Sequence, residues 1–260
     1  MSLGRFTHAR RCRAKATDLF RRENTRLHLI LACVLCLTFI VGTAYLADCV
    51  FCTIPRAQIK QESIIKYFLV DVATGSIQVL LAIFLDLPLL FGAAMIFIGT
   101  AYDEDKPLST LFCAFASPRL YFRALGIMLR ILIWPILLLG VCFLLIMTAL
   151  LINDVLVVCI LFFLAALVFL STLLYGANDA VLIQAYHHPD TRIRDLFRAS
   201  HSLTGGRRLS QFRFRLSYVG WAFLAIPTLG LSLLLHTIPH FTLAYTLFLC
   251  EDSKQIQDSV

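Results

Sequence analysis

Long apolar stretches recur along this sequence, separated by short polar segments. A helix needs about 20 apolar residues to cross the hydrocarbon core of a bilayer. Hydrophobic residues make up 59% of the 260 residues and charged residues 15%, against roughly 45–50% and roughly 25% in soluble domains. The pattern predicts an all-α, polytopic membrane protein with about six transmembrane helices. The predicted spans are residues 27–49, 76–102, 121–148, 155–186, 211–229 and 230–250.

The spans form a single predicted transmembrane domain, residues 27–250. A basic segment, residues 1–26, precedes it and a tail, residues 251–260, follows it. The last two spans share one apolar stretch, and we separate them at Pro227 to Gly230 because proline and glycine favour a turn. Five spans with a re-entrant end are the alternative. The first span is longer than a signal-peptide core, so we expect it to be retained.

Positive charge lies almost entirely on one side of the predicted spans. Of the 23 Lys and Arg residues, 20 fall in residues 1–26, 103–130, 187–215 and the tail. Cytoplasmic loops of membrane proteins carry excess Lys and Arg. We therefore predict that both termini are cytoplasmic. The formal net charge of +7 then reflects topology and does not indicate a nucleic-acid partner.

Two regions of the sequence resemble each other. Phe91 to Tyr102 is similar to Tyr175 to Tyr186, and in each case a polar stretch, a Leu-Phe pair and a basic stretch follow. The unit is a helix toward the cytoplasm, an amphipathic segment and a returning helix. Because both copies have the same orientation, we predict parallel internal repeats. Shared apolar composition is the alternative explanation.

Amphipathic segments follow the end of each repeated helix. Such segments lie in the headgroup plane with their apolar faces down, and arginines beside them would face anionic lipid or a partner protein. A passive linker that obeys the positive-inside rule is the alternative. The apolar positions are Leu108, Leu111, Phe112 and Phe115, then Ile193, Leu196, Phe197 and Leu203; the predicted lipid or partner face is Arg192, Arg194, Arg198, Arg207, Arg208, Arg213 and Arg215.

Ionisable residues within the predicted spans are candidate functional groups, because charge is costly in a bilayer. Arg130 and Asp179 fall at similar predicted depth and would form an intramembrane pair, which either locks two helices or lines an ion pathway. Arg130 alone could instead reach the headgroups. Asp86, His236 and His240 form a second predicted cluster near the outer side, where the histidines face water, relay protons or bind a metal.

Catalytic signatures are absent from the sequence, including the nucleophile elbow, the zinc-protease helix and the phosphate-binding loop. We therefore predict no enzymatic activity, no cofactor and no metal. Two hypotheses remain. The favoured one is a membrane scaffold or accessory protein with a basic cytoplasmic face that binds anionic lipids or a partner. The alternative is a transporter of a small solute, ion or lipid that uses Asp86, Arg130 and Asp179.

The C-terminal third resembles a bacterial integral-membrane family called domain of unknown function 975. The resemblance is carried by Leu196 to Ser200, Leu203 to Gly205, Leu216 to Trp221, Thr228 to Gly230 and the residues from Pro239 to Phe248. The membrane domain of some glycerophosphoryl diester phosphodiesterases is a more distant likeness. The resemblance implies a polytopic helical protein of the bacterial plasma membrane and supplies no activity.

Overall fold

The fold is known from a computed structural model that describes residues 3–49, 75–152, 180–204, 208–222 and 233–257. Every regular element in these ranges is helical, which confirms the all-α class. A π turn, Ala82–Asp86, lies within α3, and a second, Leu233–Thr237, precedes α8. The helices are α1 (Leu3–Arg21), α2 (Glu23–Asp48), α3 (Gly75–Ala101), a 3₁₀ helix (Leu108–Ala116), α4 (Pro118–Ile152), α5 (Ala180–His187), α6 (Ile193–Thr204), α7 (Arg208–Ala222) and α8 (Ile238–Gln257).

Two of the described helices are long and apolar enough to cross a membrane, Glu23–Leu46 and Gly75–Ala101. They coincide with the first two predicted spans. Large apolar side chains on α2 point outward at both ends, with Leu27 66% and Tyr45 70% exposed, which suits a helix in contact with lipid. The total of six spans stays a prediction. Parts of the predicted spans 155–186 and 211–229 lie outside the described residues.

The basic N-terminal segment forms a helix that is packed into the main core. Cys12, Ala16, Leu19 and Phe20 are buried in α1, and this spacing places them on one helical face. Helix α1 packs antiparallel to α8, because the His8 ring contacts Phe248 while Thr17 contacts His240. The predicted boundary between residues 1–26 and the transmembrane domain is therefore not a break in packing.

The chain reverses direction after α3 and runs back along it. The turn includes Asp103, which has a positive φ of 59°. Lys106 then packs against Gly99, and the backbone of Leu111 packs against Gly92. Gly92 lies nine residues before the end of α3, or about 13 Å along a helix. The first amphipathic segment therefore lies alongside α3. This differs from the prediction from sequence, which placed the segment in the headgroup plane at the end of the helix.

Glycine at position 92 allows this close approach. A Cβ there would overlap the Leu111 carbonyl group, with its carbon 2.6 Å away. The 3₁₀ helix buries Leu111 and Ala114 against α3 and exposes Phe112 and Phe115 on its other side. Phe112 and Phe115 give the outer side of this segment an apolar surface.

A similar order of elements occurs again at α5, α6 and α7. Leu196 and Phe197 of α6 are buried in one cluster with Val181 and Ala185 of α5 and Ile127 of α4. The opposite face of α6 is exposed, as the amphipathic pattern predicts. The similarity of the two regions extends from sequence to element order, while a common origin by duplication stays a prediction.

Candidate functional site

Asp86 is buried and joins the two helices that could span a membrane. Its carboxylate accepts a hydrogen bond from the Thr43 hydroxyl, at 3.2 Å to one oxygen and 3.4 Å to the other. The residue ends the π turn of α3, and π turns within helices are frequent at functional sites. A carboxylate between two apolar helices is the kind of group that marks an ion pathway or a structural lock.

Pro88 accounts for a second polar contact nearby. Proline has no N–H, so the carbonyl group of Phe84, four residues earlier, loses its usual helical donor. The Tyr121 hydroxyl of α4 donates to that carbonyl at 2.8 Å. The irregular turn of α3 is therefore tied to α2 through Asp86 and to α4 through Phe84.

The two histidines do not lie beside Asp86. The His240 ring nitrogens contact the hydroxyls of Thr17 and Tyr218, each at 3.2 Å, and both histidine rings meet Phe20 edge to face. Thr17 and Phe20 precede the start of α2, whereas Thr43 lies 20 residues beyond Glu23, or about 30 Å along a helix. The predicted outer cluster is therefore wrong. The prediction rested on the positions of these residues along their separate spans, whereas the packing of α8 against α1 decides where the histidines lie.

No group of three His, Cys, Asp or Glu side chains within the described ranges could hold a metal ion. The histidines instead belong to a polar cluster that fastens α1 to α7 and α8. Arg13 lies over the rings of Phe214 and Tyr218, with its guanidinium carbon 5.2 and 5.5 Å from their centroids. It also donates a hydrogen bond to Ser217.

The predicted intramembrane ion pair falls partly outside the described residues, because Asp179 is not among them. Arg130 is exposed and lies over the Phe197 ring, with its guanidinium carbon 4.4 Å from the ring centroid. Cation–π contact of this kind contributes about 0.5–1 kcal/mol at exposed sites. The structure thus gives Arg130 a role in holding α6 against α4, and the pairing with Asp179 stays a prediction.

The predicted basic face divides into exposed and inward-turned arginines. Arg215 does not belong to the face, because it is half-buried and donates to the Tyr245 hydroxyl at 2.6 Å. Arg198 lies 3.7 Å from Asp195, and a surface ion pair of this kind contributes little to the free energy of unfolding. Arg207 lies outside the described residues, and Arg208 begins α7. The exposed members form what we call the arginine surface: Arg192, Arg194, Arg198 and Arg213.

An apolar crevice lies between α3, α5 and α8, with a volume of about 370 Å³. Phe97 and Ile98 of α3, Leu182 of α5, and Phe241 and Leu249 of α8 contribute apolar walls. The polar lining consists of Arg215 of α7 and the hydroxyls of Thr242, Tyr245 and Thr246 of α8. Sequence patterns within one segment do not predict this crevice, because its walls come from four helices distant in the chain.

A second, polar cavity of about 400 Å³ lies where α2 begins and α3 ends, and its lining includes Arg22, His28 and residues 103–107. Lys106 forms an ion pair with Glu104 at 2.7 Å. Hydrogen bonds from Lys106 and the Tyr186 hydroxyl lower the pKa of Glu104, and the bond to Glu104 raises the pKa of Lys106. Both groups therefore stay charged over a wide pH range.

No family model matches the chain, and comparison with curated proteins and with solved structures found no match. The resemblance to the family of unknown function described above stays a prediction.

Proposed function

We propose that this protein is a non-enzymatic, multi-pass protein of the bacterial plasma membrane that binds anionic lipid headgroups through a basic cytoplasmic surface. The observation that carries the proposal is the arrangement of α6. Its apolar residues Leu196 and Phe197 are buried, while Arg192, Arg194 and Arg198 are exposed. The proposal places this surface beside a bilayer crossed by at least α2 and α3, the helices with the required length and composition.

Electrostatics gives the arginine surface its preference for anionic lipid. Each basic side chain near a cytoplasmic leaflet contributes about 1 kcal/mol through the negative surface potential, and the effect fades within a Debye length. Arg194 and Arg198 on α6, together with Arg192 directly before it, therefore supply about 3 kcal/mol at low salt. Asp195 offsets part of this through Arg198, from which it lies 3.7 Å away.

Replacing Arg192, Arg194 and Arg198 together by Gln should weaken the preference for anionic lipid. We expect a loss of roughly 30- to 150-fold, because about 2–3 kcal/mol of attraction disappears. The measurement is energy transfer from labelled protein to labelled phosphatidylglycerol, titrated against phosphatidylcholine in reconstituted vesicles. The matched control replaces the same three residues by Lys, which keeps the charge and should keep the preference. An unchanged preference for anionic lipid in the Gln variant would contradict the proposal.

Asp86 supports a second candidate function, a transporter of a small solute, ion or lipid. A buried carboxylate on an irregular helical turn is a frequent component of ion and proton pathways. Arg130 and Asp179 belong to the same proposed path. We expect Asp86→Asn to abolish solute flux into vesicles, while Asp103→Asn at the exposed turn leaves flux unchanged. Flux that persists in Asp86→Asn, or none with any tested solute, would count against a transporter.

A further inference from the structure

We propose that the crevice between α3, α5 and α8 binds one single-chain lipid with an acidic head group, its acyl chain against the apolar walls and its head group at Arg215. This inference goes beyond the proposed function. It concerns another site, because Arg215 is turned inward and is not part of the arginine surface.

The size and lining of the crevice suit one acyl chain. A volume of about 370 Å³ lies within the roughly 300–1,000 Å³ of small-molecule sites, which are mostly apolar with a few placed polar groups. The crevice follows α8 from Phe241 to Leu249, or about 12 Å along a helix. Phe97, Ile98 and Leu182 form the opposite walls. Because an acyl chain in the bilayer already lies in an apolar medium, the fit of the chain and the charge of the head group should decide binding more than chain length does.

Arg215 gives the crevice a preference for an anion. It carries the one formal charge among the lining residues that the structure describes. A guanidinium has five N–H donors in a planar fork that matches a carboxylate or phosphate. The bond to Tyr245 at 2.6 Å fixes the position of this fork on the α8 side of the crevice. An acidic head group bound there would meet a held cation next to hydroxyl groups.

The chemistry at the polar end is shared by fatty acids and lysophosphatidic acids. Both have one acyl chain, and both present planar or tetrahedral arrays of anionic oxygens that accept charge-assisted hydrogen bonds. A diacyl phospholipid would have to leave one of its two chains outside a cavity of this volume. We therefore take the ligand to be a single-chain anionic lipid.

Photolabelling tests this site directly. The protein is placed in phosphatidylcholine nanodiscs with a hexadecanoic acid that carries a diazirine near the middle of its chain. Hexadecanol with the same diazirine is the neutral probe, and a lysophosphatidic acid probe distinguishes phosphate from carboxylate. Labelled positions are mapped by mass spectrometry. We expect one of the acidic probes to label residues 94–98 or 241–249 at least tenfold more than the alcohol, because charge-assisted hydrogen bonds are lost with the alcohol.

Variants separate the role of Arg215 from general effects. Arg215→Gln should reduce labelling by about tenfold or more, while Arg119→Gln, at an exposed position of α4 outside both the crevice and the arginine surface, should leave it unchanged. Tyr245→Phe keeps the guanidinium but removes the hydroxyl that positions it, so its labelling should fall between that of the parent protein and that of Arg215→Gln. Ala94→Phe, which narrows the crevice, should block every probe. Equal labelling by the alcohol, unchanged labelling in Arg215→Gln, or labels only outside the crevice would each overturn the proposal.

The proposal for the arginine surface and the proposal for the crevice are tested independently of each other. The variant with Gln at positions 192, 194 and 198 should label in the crevice as the parent protein does. Loss of crevice labelling in that variant would show that the two sites are one and would overturn the inference. Normal crevice labelling together with an unchanged lipid preference would reject the proposed function alone.

Discussion

Gly92→Ala is expected to destabilise the protein by about 3 kcal/mol, at the upper end of the cost of overpacking. The added Cβ would lie 2.6 Å from the carbonyl carbon and 2.9 Å from the Cα of Leu111. Backbone atoms cannot rotate away as a flexible side chain can, so either the 3₁₀ helix or α3 must move. Leu111, which is buried against α3, would lose its packing in the same movement.

Thermal unfolding with a thiol-reactive fluorogenic dye measures this effect. Cys12, Cys36 and Cys250 are buried cysteine thiols, so their reaction with the dye reports loss of the core. The midpoint should fall by about 5–10 °C for Gly92→Ala. Gly42→Ala on α2 is the matched control, because nothing lies within 4 Å of its added Cβ and alanine is the better helix former. Equal midpoints for the two variants would contradict the close packing of the 3₁₀ helix on α3.

Phe214→Ala should cost about 3–5 kcal/mol, the range for a buried aromatic residue cut to alanine. Its ring is 2% exposed and lies 4.9 Å from the Phe248 ring, centroid to centroid. The Arg13 guanidinium also lies over this ring, 5.2 Å from its centroid. Loss of the ring would therefore loosen α1, α7 and α8 at once.

The dye experiment with Leu216→Ala as control tests this packing. Leu216 lies on the same helix and is 54% exposed, so its truncation should change stability by about 0.5 kcal/mol or less. Proteolysis of the N-terminal segment should also accelerate in Phe214→Ala and not in Leu216→Ala. A Phe214→Ala protein as stable as the control would show that α1 is not part of the core.

The sequence predicted the helical class and the amphipathic character of α6, because both depend on spacing within one segment. The burial of Leu196 and Phe197 and the exposure of Arg192 and Arg198 follow from a 3.6-residue period. Apolar stretches similarly predicted α2 and α3 nearly to their ends. These features need no knowledge of which helix lies beside which.

Contacts between distant helices could not be predicted in this way. Arg13 and Arg215 are two of many basic residues, and nothing in their local sequence shows that aromatic rings of other helices turn them inward. The separation of Asp86 from His236 and His240 depends on the docking of α8 beside α1. One sign was available for α1, where buried positions 12, 16, 19 and 20 follow a helical period beneath the basic residues.

The central claim is a bilayer-spanning fold whose arginine surface faces the cytoplasm, and site-directed thiol labelling tests it most directly. Native Cys12 is unsuitable because it is buried. Ser76→Cys at the start of α3 and Ser202→Cys on α6 are both exposed positions. The reagent is a membrane-impermeant maleimide, and the labelling of native cysteines in the parent chain is subtracted. In intact cells the reagent should label Ser76→Cys, whereas Ser202→Cys should react only after permeabilisation. Labelling of Ser202→Cys in intact cells, or equal labelling of both positions, would contradict the account.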